Sequence, residues 1–252
     1  MLDVLSFEVL ALLCLVAGLA GFVDAIAGGG GLLTIPALIW AGLPPVQALA
    51  TNKLQGTFGT LSSSITFFRM GRIQLREISL AVVLTFIGSA TGTVLVQYLP
   101  AGFLVNMIPW LLVLVAIYTV FSPRMGDEDR HQRIGRASFA FVVGFSVGFY
   151  DGFFGPGTGS FFGIAFVALL GYNLTRATAH AKVLNLTSNA ASLLFFALGG
   201  KVLWSVGLVM GAGQMLGAWL GSHMVIRNGS RIVRPILFIV SVAMAIKVYV
   251  SS

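Results

Sequence analysis

The stretches "DAIAGGGG", residues 24–31, and "DGFFGPGTG", residues 151–159, each set an acid ahead of a run of glycines and a short apolar segment. They lie in a chain of 252 residues that is 57% hydrophobic and 9% charged, against about 45–50% and about 25% in a soluble domain. Apolar runs near 4–23, 76–97, 103–121, 137–150, 202–225 and 232–250 approach or reach the roughly 20 residues that cross a bilayer as helix. The ten-residue alternation of a membrane barrel is lacking. The composition predicts an all-α polytopic membrane protein.

The formal charge is +7, but the arginines stand in short clusters between apolar runs, where they orient loops towards the cytoplasm rather than bind nucleic acid. Cys14 is the single cysteine, so one chain can form neither a disulfide nor a cysteine metal site, and no metal or other cofactor is expected. No Lys or Arg precedes Lys53, which predicts a retained first helix rather than a cleaved signal.

The two opening stretches belong to a longer self-match. At an offset of 127, Asp24 falls on Asp151, Gly28 on Gly155 and Gly30 on Gly157. After a two-residue shift Lys53 falls on Lys182, "GRI" (71–73) on "GKV" (200–202) and "GSATG" (88–92) on "GAWLG" (217–221). This predicts two tandem repeats, 1–121 and 137–252, joined by a charged linker, 122–136. Loop charge separates a parallel from an inverted arrangement. "RMGRIQLR" has three arginines where its partner "GGK" has one lysine, and "YLPAG" has none where "RNGSRIVR" has three. Equivalent loops carry opposite bias, which predicts inversion with the linker on the cytoplasmic side. Each repeat then consists of about four long helices plus "GLLTIPALIWAGL" or "TGSFFGIAFVALLG" as a short discontinuous or re-entrant segment. The choice between eight and ten passes stays open, because about 14 residues is short for a helix rising about 1.5 Å per residue.

Asp24, Lys53, Asp151 and Lys182 are the acids and bases left within apolar sequence. A charge inside the membrane costs several kcal/mol, so such residues face a cavity or a partner. The two acids are candidates for structural ion pairs or for carrying a coupling proton. A helix that ends at the acid and restarts after a glycine turn exposes backbone N–H groups, which attract anions. Gly29, Gly30, Gly157, Thr158 and Gly159 are therefore candidate ligand contacts, with the glycines of both turns expected at positive φ. Beyond each lysine, Lys182, Asn185, Asn189 and Ser192 share one helix face, as do Lys53, Gly56, Thr60 and Ser63. Asn52 and Thr57 stand beside the first of these faces. His180 either relays a proton or makes a local hydrogen bond. "GSATG" and "GAWLG" are small-xxx-small packing motifs. "GPGTG" lacks the strand that a nucleotide-binding glycine loop requires.

At "GFVDAIAGGGGLLTIPAL", "ATNK" and "DGFFGPGTGS" the chain resembles the TauE/SafE, or sulfite exporter, family over nearly its whole length. The resemblance implies a multi-pass transporter of a bacterial inner membrane that moves small anions such as sulfite, organosulfonates or C2 carboxylates. Where the first half reads "ATNK" the second reads "AHAK", so a shared site would be asymmetric.

The residues themselves predict a secondary transporter whose site lies near the bilayer midplane, between the repeats. The substrate is expected to be an anion bound by Lys53, Lys182, Asn52, Thr57, Asn185, Asn189 and the glycine turns, with Asp24 and Asp151 as ion-pair or proton-coupling groups. A passive anion channel is the rival reading. A membrane enzyme is not expected, because no Ser-His pair at repeatable spacing, HExxH motif or metal-ligand cluster occurs.

Overall fold

The computed structural model describes residues 5–120, 129 and 131–228. The apolar run at 232–250 and most of the linker lie outside the described residues. Those described are all-helical: α1 (Phe7–Ala27), α2 (Gly31–Trp40), α3 (Pro45–Arg69), α4 (Leu75–Gln97), α5 (Ala101–Val120), α6 (Arg136–Phe139), a π-helical segment (Ala140–Phe145), α7 (Ser146–Phe153), α8 (Thr158–Leu170), α9 (Leu174–Leu198) and α10 (Trp204–Asn228). α1, α4 and α9 are long and apolar enough to cross a membrane.

Local chemistry sets the boundaries. α3 starts on Pro45, whose missing N–H costs nothing at a first helical position. α9 is capped by Asn173, whose Oδ1 accepts from Arg176 N at 2.9 Å. α1 stops where Gly28 turns left-handed (φ 77°) and donates to Asp24 O at 2.8 Å. The run predicted as one helix near 137–150 is continuous from α6 to α7 but carries the π-helical segment in its middle.

Burial follows the logic of a lipid-exposed protein. Leu15, Leu19, Val83, Phe86, Phe141, Val142, Leu216 and Leu220 are exposed, while Lys53 and Lys182, each 1% exposed, rank among the largest fully buried side chains. Without water outside, apolar surface gains nothing by turning inward, and polar groups must satisfy one another inside.

Contacts between helices give their directions. Gly18 faces Gly213 and Gly217, and Gly221 meets Phe22, so α1 and α10 run parallel. Leu54 packs on Gly207, Phe58 on Gly211 and Ser62 Oγ donates to Met215 O, so α3 joins the same direction. On the other side Gly144 faces Ala81, Gly148 faces Thr85 and Gly152 faces Ser89, which makes α4 and α7 parallel. Ser89 Oγ donates to Ser188 O and Gln97 Nε2 reaches Phe195 O, which adds α9. Two trios result, α1/α3/α10 and α4/α7/α9, each drawn from both ends of the chain. Both small-xxx-small motifs lie in these contacts, with Gly88 and Gly92 against Phe145 and Phe149, and Gly217 and Gly221 against Gly18 and Phe22.

α3 and α9 run in opposite directions. His180, early in α9, accepts from Gln74 N just beyond the end of α3, and Leu203, just beyond the end of α9, donates to Thr51 near the start of α3. The chain enters α6 and leaves α8 at one end, since Arg133 N and Ile134 N both donate to Leu169 O. α2 and α8, with 10 and 13 residues, are about 15 and 20 Å long, shorter than the roughly 30 Å apolar thickness of a bilayer. α8 is three residues longer than α2 and its following turn is one shorter, which places the two-residue shift of the self-match between break and lysine.

Candidate functional site

The two glycine breaks meet. A Cβ on Gly28 would collide with the backbone of Gly159 and Ser160, one on Gly159 would lie 2.6 Å from Gly28 Cα, and one on Gly31 would lie 3.3 Å from Pro156 Cα. Ser160 Oγ donates to Ala27 O across the junction. Left-handed backbone occurs at Gly28, Gly155 and Gly157. It does not extend to Gly30, which is right-handed at φ −54°, nor to Gly29, Gly31 or Gly159. The expectation of positive φ along both runs is corrected on this point. Gly30 is small because it backs onto Asp24, and Gly31 and Gly159 because the opposite break lies against them.

The four intramembrane charges pair across the halves of the chain. Lys182 Nζ lies 2.8 Å from Asp24 Oδ2 and also donates to Asp24 O. Lys53 Nζ lies 2.8 Å from Asp151 Oδ2. Each lysine thus reaches the last turn of a broken helix, the negative end of its dipole. The self-match aligns Asp24 with Asp151 and Lys53 with Lys182, yet each acid pairs with the other half's lysine.

The two pairs differ in detail. Asp24 Oδ1 accepts from Gly30 N at 3.2 Å, and Lys182 Nζ has two acceptors on Asp24. Asp151 Oδ1 instead lies 2.7 Å from Thr158 Oγ1, which is also 2.7 Å from Gly155 O. Lys53 Nζ has the single acceptor Asp151 Oδ2, and both atoms are fully buried. A Cβ on Gly155 would lie 2.9 Å from that Nζ, so the ammonium is seated against the turn that opens α8.

Other predicted residues divide. Asn185 Nδ2 lies beside Gly159, and Asn189 faces Gly56 across the α3/α9 contact while donating to Asn185 Oδ1 at 3.3 Å. Asn52 Oδ1 accepts from Thr34 Oγ1 at 2.6 Å and Gln55 Nε2 at 3.0 Å, and Thr34 Oγ1 lies 3.1 Å from Gly30 O, so Asn52 is tied to the first break. Thr57 stands apart, its hydroxyl donating to Lys53 O in its own helix. His180 is engaged at both ring nitrogens: Nδ1 lies 2.8 Å from Arg176 O and Nε2 accepts from Gln74 N, which makes Nδ1 the protonated one.

Sequence reasoning missed Thr34, the partner of Asn52, and Gln214, a polar residue inside an apolar run whose side chain lies over Gly59. It also missed the cluster at Glu77, which accepts from Arg136, Arg176 and Tyr172 within 2.8 Å and fastens α4, α6 and α9 at the end where α3 finishes.

The profile of the sulfite exporter TauE/SafE family matches residues 13–248. The chain is 51% identical over 243 residues to an Escherichia coli (strain K12) protein named probable membrane transporter protein YfcA, covering 96% of this chain and 90% of that one. It is 49% identical to a probable membrane transporter protein of Haemophilus influenzae, covering 96% and 95%. A Bacillus subtilis probable membrane transporter protein, YunE, is 25% identical, covering 86% and 88%. A helical bundle with lipid-facing apolar surface, four buried charges and two abutting helix breaks, matched nearly end to end by this profile, is a membrane transporter of the TauE/SafE family.

Proposed function

We propose that the chain is a secondary transporter that exports a small anion, such as sulfite, an organosulfonate or a small carboxylate, across a bacterial inner membrane, with proton coupling. The single observation that carries this reading is the junction of two helix breaks with two buried lysines at its centre. Broken helices paired across a transporter's halves are where substrate and coupling ions bind. The N-termini of α2 and α8 and the two ammonium groups supply positive potential, and Asn185, Asn189 and Asn52 supply amide contacts. Thr57 would contribute through its helix rather than by direct contact.

The same reading makes residues 1–121 and 137–252 inverted repeats joined by the linker 122–136. The exchange of α1/α10 and α3/α10 contacts for α7/α4 and α9/α4 contacts supports duplication. The opposed directions of α3 and α9 support inversion. The bonds from Leu169 O to Arg133 and Ile134 support α6–α8 as a re-entrant hairpin.

The test is flux in proteoliposomes holding the full chain, with sulfite, ethanesulfonate and acetate as probes. Saturable flux of at least one probe, driven by a pH gradient, is expected. Flux of none of them would remove the anion reading. Unsaturable flux at channel rates, indifferent to the gradient, would favour the passive channel.

A further inference from the structure

We infer that the two ion pairs have different jobs: Asp24–Lys182 is a fixed latch, whereas Lys53 receives the anion and Asp151 takes up a proton as the anion arrives. This rests on the transporter reading above and specifies which half of the site exchanges.

The groups around each carboxylate decide it. Asp24 is met by donors alone, Gly30 N at Oδ1 and Lys182 Nζ at Oδ2. Each oxygen of Asp24 accepts from a donor that has no lone pair to offer in return. Asp151 Oδ1 faces a hydroxyl, and that hydroxyl stands 2.7 Å from two acceptors, Asp151 Oδ1 and Gly155 O. A hydroxyl has one proton to give. With Asp151 ionised, the Thr158 hydroxyl can serve one of the two oxygens, and if it serves Asp151 then Gly155 O keeps Thr158 N alone, at 3.3 Å. With Asp151 protonated at Oδ1, the carboxyl donates to Thr158 Oγ1 and Thr158 donates to Gly155 O, so both contacts become hydrogen bonds. Asp151 thus has beside it a hydroxyl that can accept its proton, and the groups that bond Asp24 include no such acceptor.

The lysines differ in the same sense. Lys182 has a carboxylate oxygen and a carbonyl as acceptors. Lys53 Nζ, in a side chain 1% exposed, has Asp151 Oδ2 alone as acceptor, at 2.8 Å, and is seated at the turn before α8. A buried ammonium with one acceptor for three donors carries a desolvation cost that oxygens of a bound anion would relieve. An anion there would replace Asp151 as the counter-charge. Two negative groups cannot share one lysine in this setting at low cost, so anion entry requires Asp151 to accept a proton from solution, and release returns it. The other ionisable groups around the breaks are Asp24 and Lys182, which stay paired, and Tyr150, whose hydroxyl donates to Pro156 O at 2.7 Å.

The experiment measures binding of ethanesulfonate, and of acetate if ethanesulfonate is not bound, to the detergent-solubilised full chain between pH 6 and 8.5. Both probes keep a single charge there. The wild type should take up about one proton per anion, with affinity falling about tenfold per pH unit. D151N should bind without proton uptake and with a flat pH profile, whereas D24N should keep the wild-type slope whatever its affinity. T158V should lose proton uptake and T158S retain it. K53M should weaken binding at least about tenfold and K53R should recover most of it. If K53M does not fold, the slopes of D151N and D24N decide. Binding without proton uptake in the wild type, or a slope lost in D24N and kept in D151N, overturns the assignment while leaving the anion transporter reading intact. No binding of either probe overturns both.

Discussion

Gly28 and Gly159 lie back to back, and the space a side chain would need on either one is filled by the backbone of the other. The contact joins the end of α1 to the start of α8. Gly28→Ala must both hold a left-handed backbone (φ +77°) and displace Gly159. Gly42→Ala has the same kind of backbone cost, at φ +90°, with nothing within 4 Å. The backbone term alone is about 1–2 kcal/mol. Gly28→Ala is expected to lower the thermal transition clearly more than Gly42→Ala and to abolish transport. Equal shifts in the two variants would mean that the breaks separate freely.

Crossed pairing predicts crossed rescue. Lys53→Met leaves Asp151 buried and unpaired, a loss of about 3–5 kcal/mol. Adding Asp151→Asn should recover much of that stability, while adding Asp24→Asn should cost more, because it strands Lys182 as well. Thermal denaturation of the two double variants separates these outcomes, and rescue by Asp24→Asn would contradict the pairing.

The proposed inversion can be tested at two turns. Gly71 follows α3 and Lys201 follows α9, and these helices run oppositely. Single-cysteine reporters at the two positions, in a Cys14→Ser background, should label from opposite sides of the membrane, with Gly71 cytoplasmic. Labelling of both from one side would refute the inverted arrangement.

At the α3-terminal end, Glu77→Gln should destabilise by about 1–3 kcal/mol, because Arg136, Arg176 and Tyr172 all converge on a carboxylate that is 14% exposed. The loss should diminish in high salt on the Arg136 side, which is about half exposed. A neutral effect in a melting experiment would reduce the cluster to surface decoration.

The breaks, the four buried charges and the short segments after each break were legible because each departs from its surroundings: glycine beside acid, charge inside apolar sequence, a run too short to span. Which acid meets which lysine was not legible. A self-match aligns equivalent positions, and it is silent on whether equivalent halves pair within themselves or with each other. Glu77 was hidden for a related reason, since beside "RMGRIQLR" it reads as one more loop charge, and its partners lie 59 to 99 residues away. Thr158 was legible as a ligand candidate, but its position between two acceptors appears only once the turn before α8 is folded.

The mixed trios also bear on how such a protein can be cut and how it can move. α10 is held in the glycine grooves of α1, and α4 in those of α7, so a gene split at the linker would yield two fragments, each lacking the helix that fills its own groove. Neither fragment is expected to fold alone, and co-expression of the two should be needed for either to accumulate. For the same reason a rocking of the first half against the second would have to pull Gly217 off Gly18 and Gly152 off Ser89. The trios are in turn tied to each other at the breaks, where Asp24 of α1 holds Lys182 of α9 and Lys53 of α3 meets Asp151 of α7.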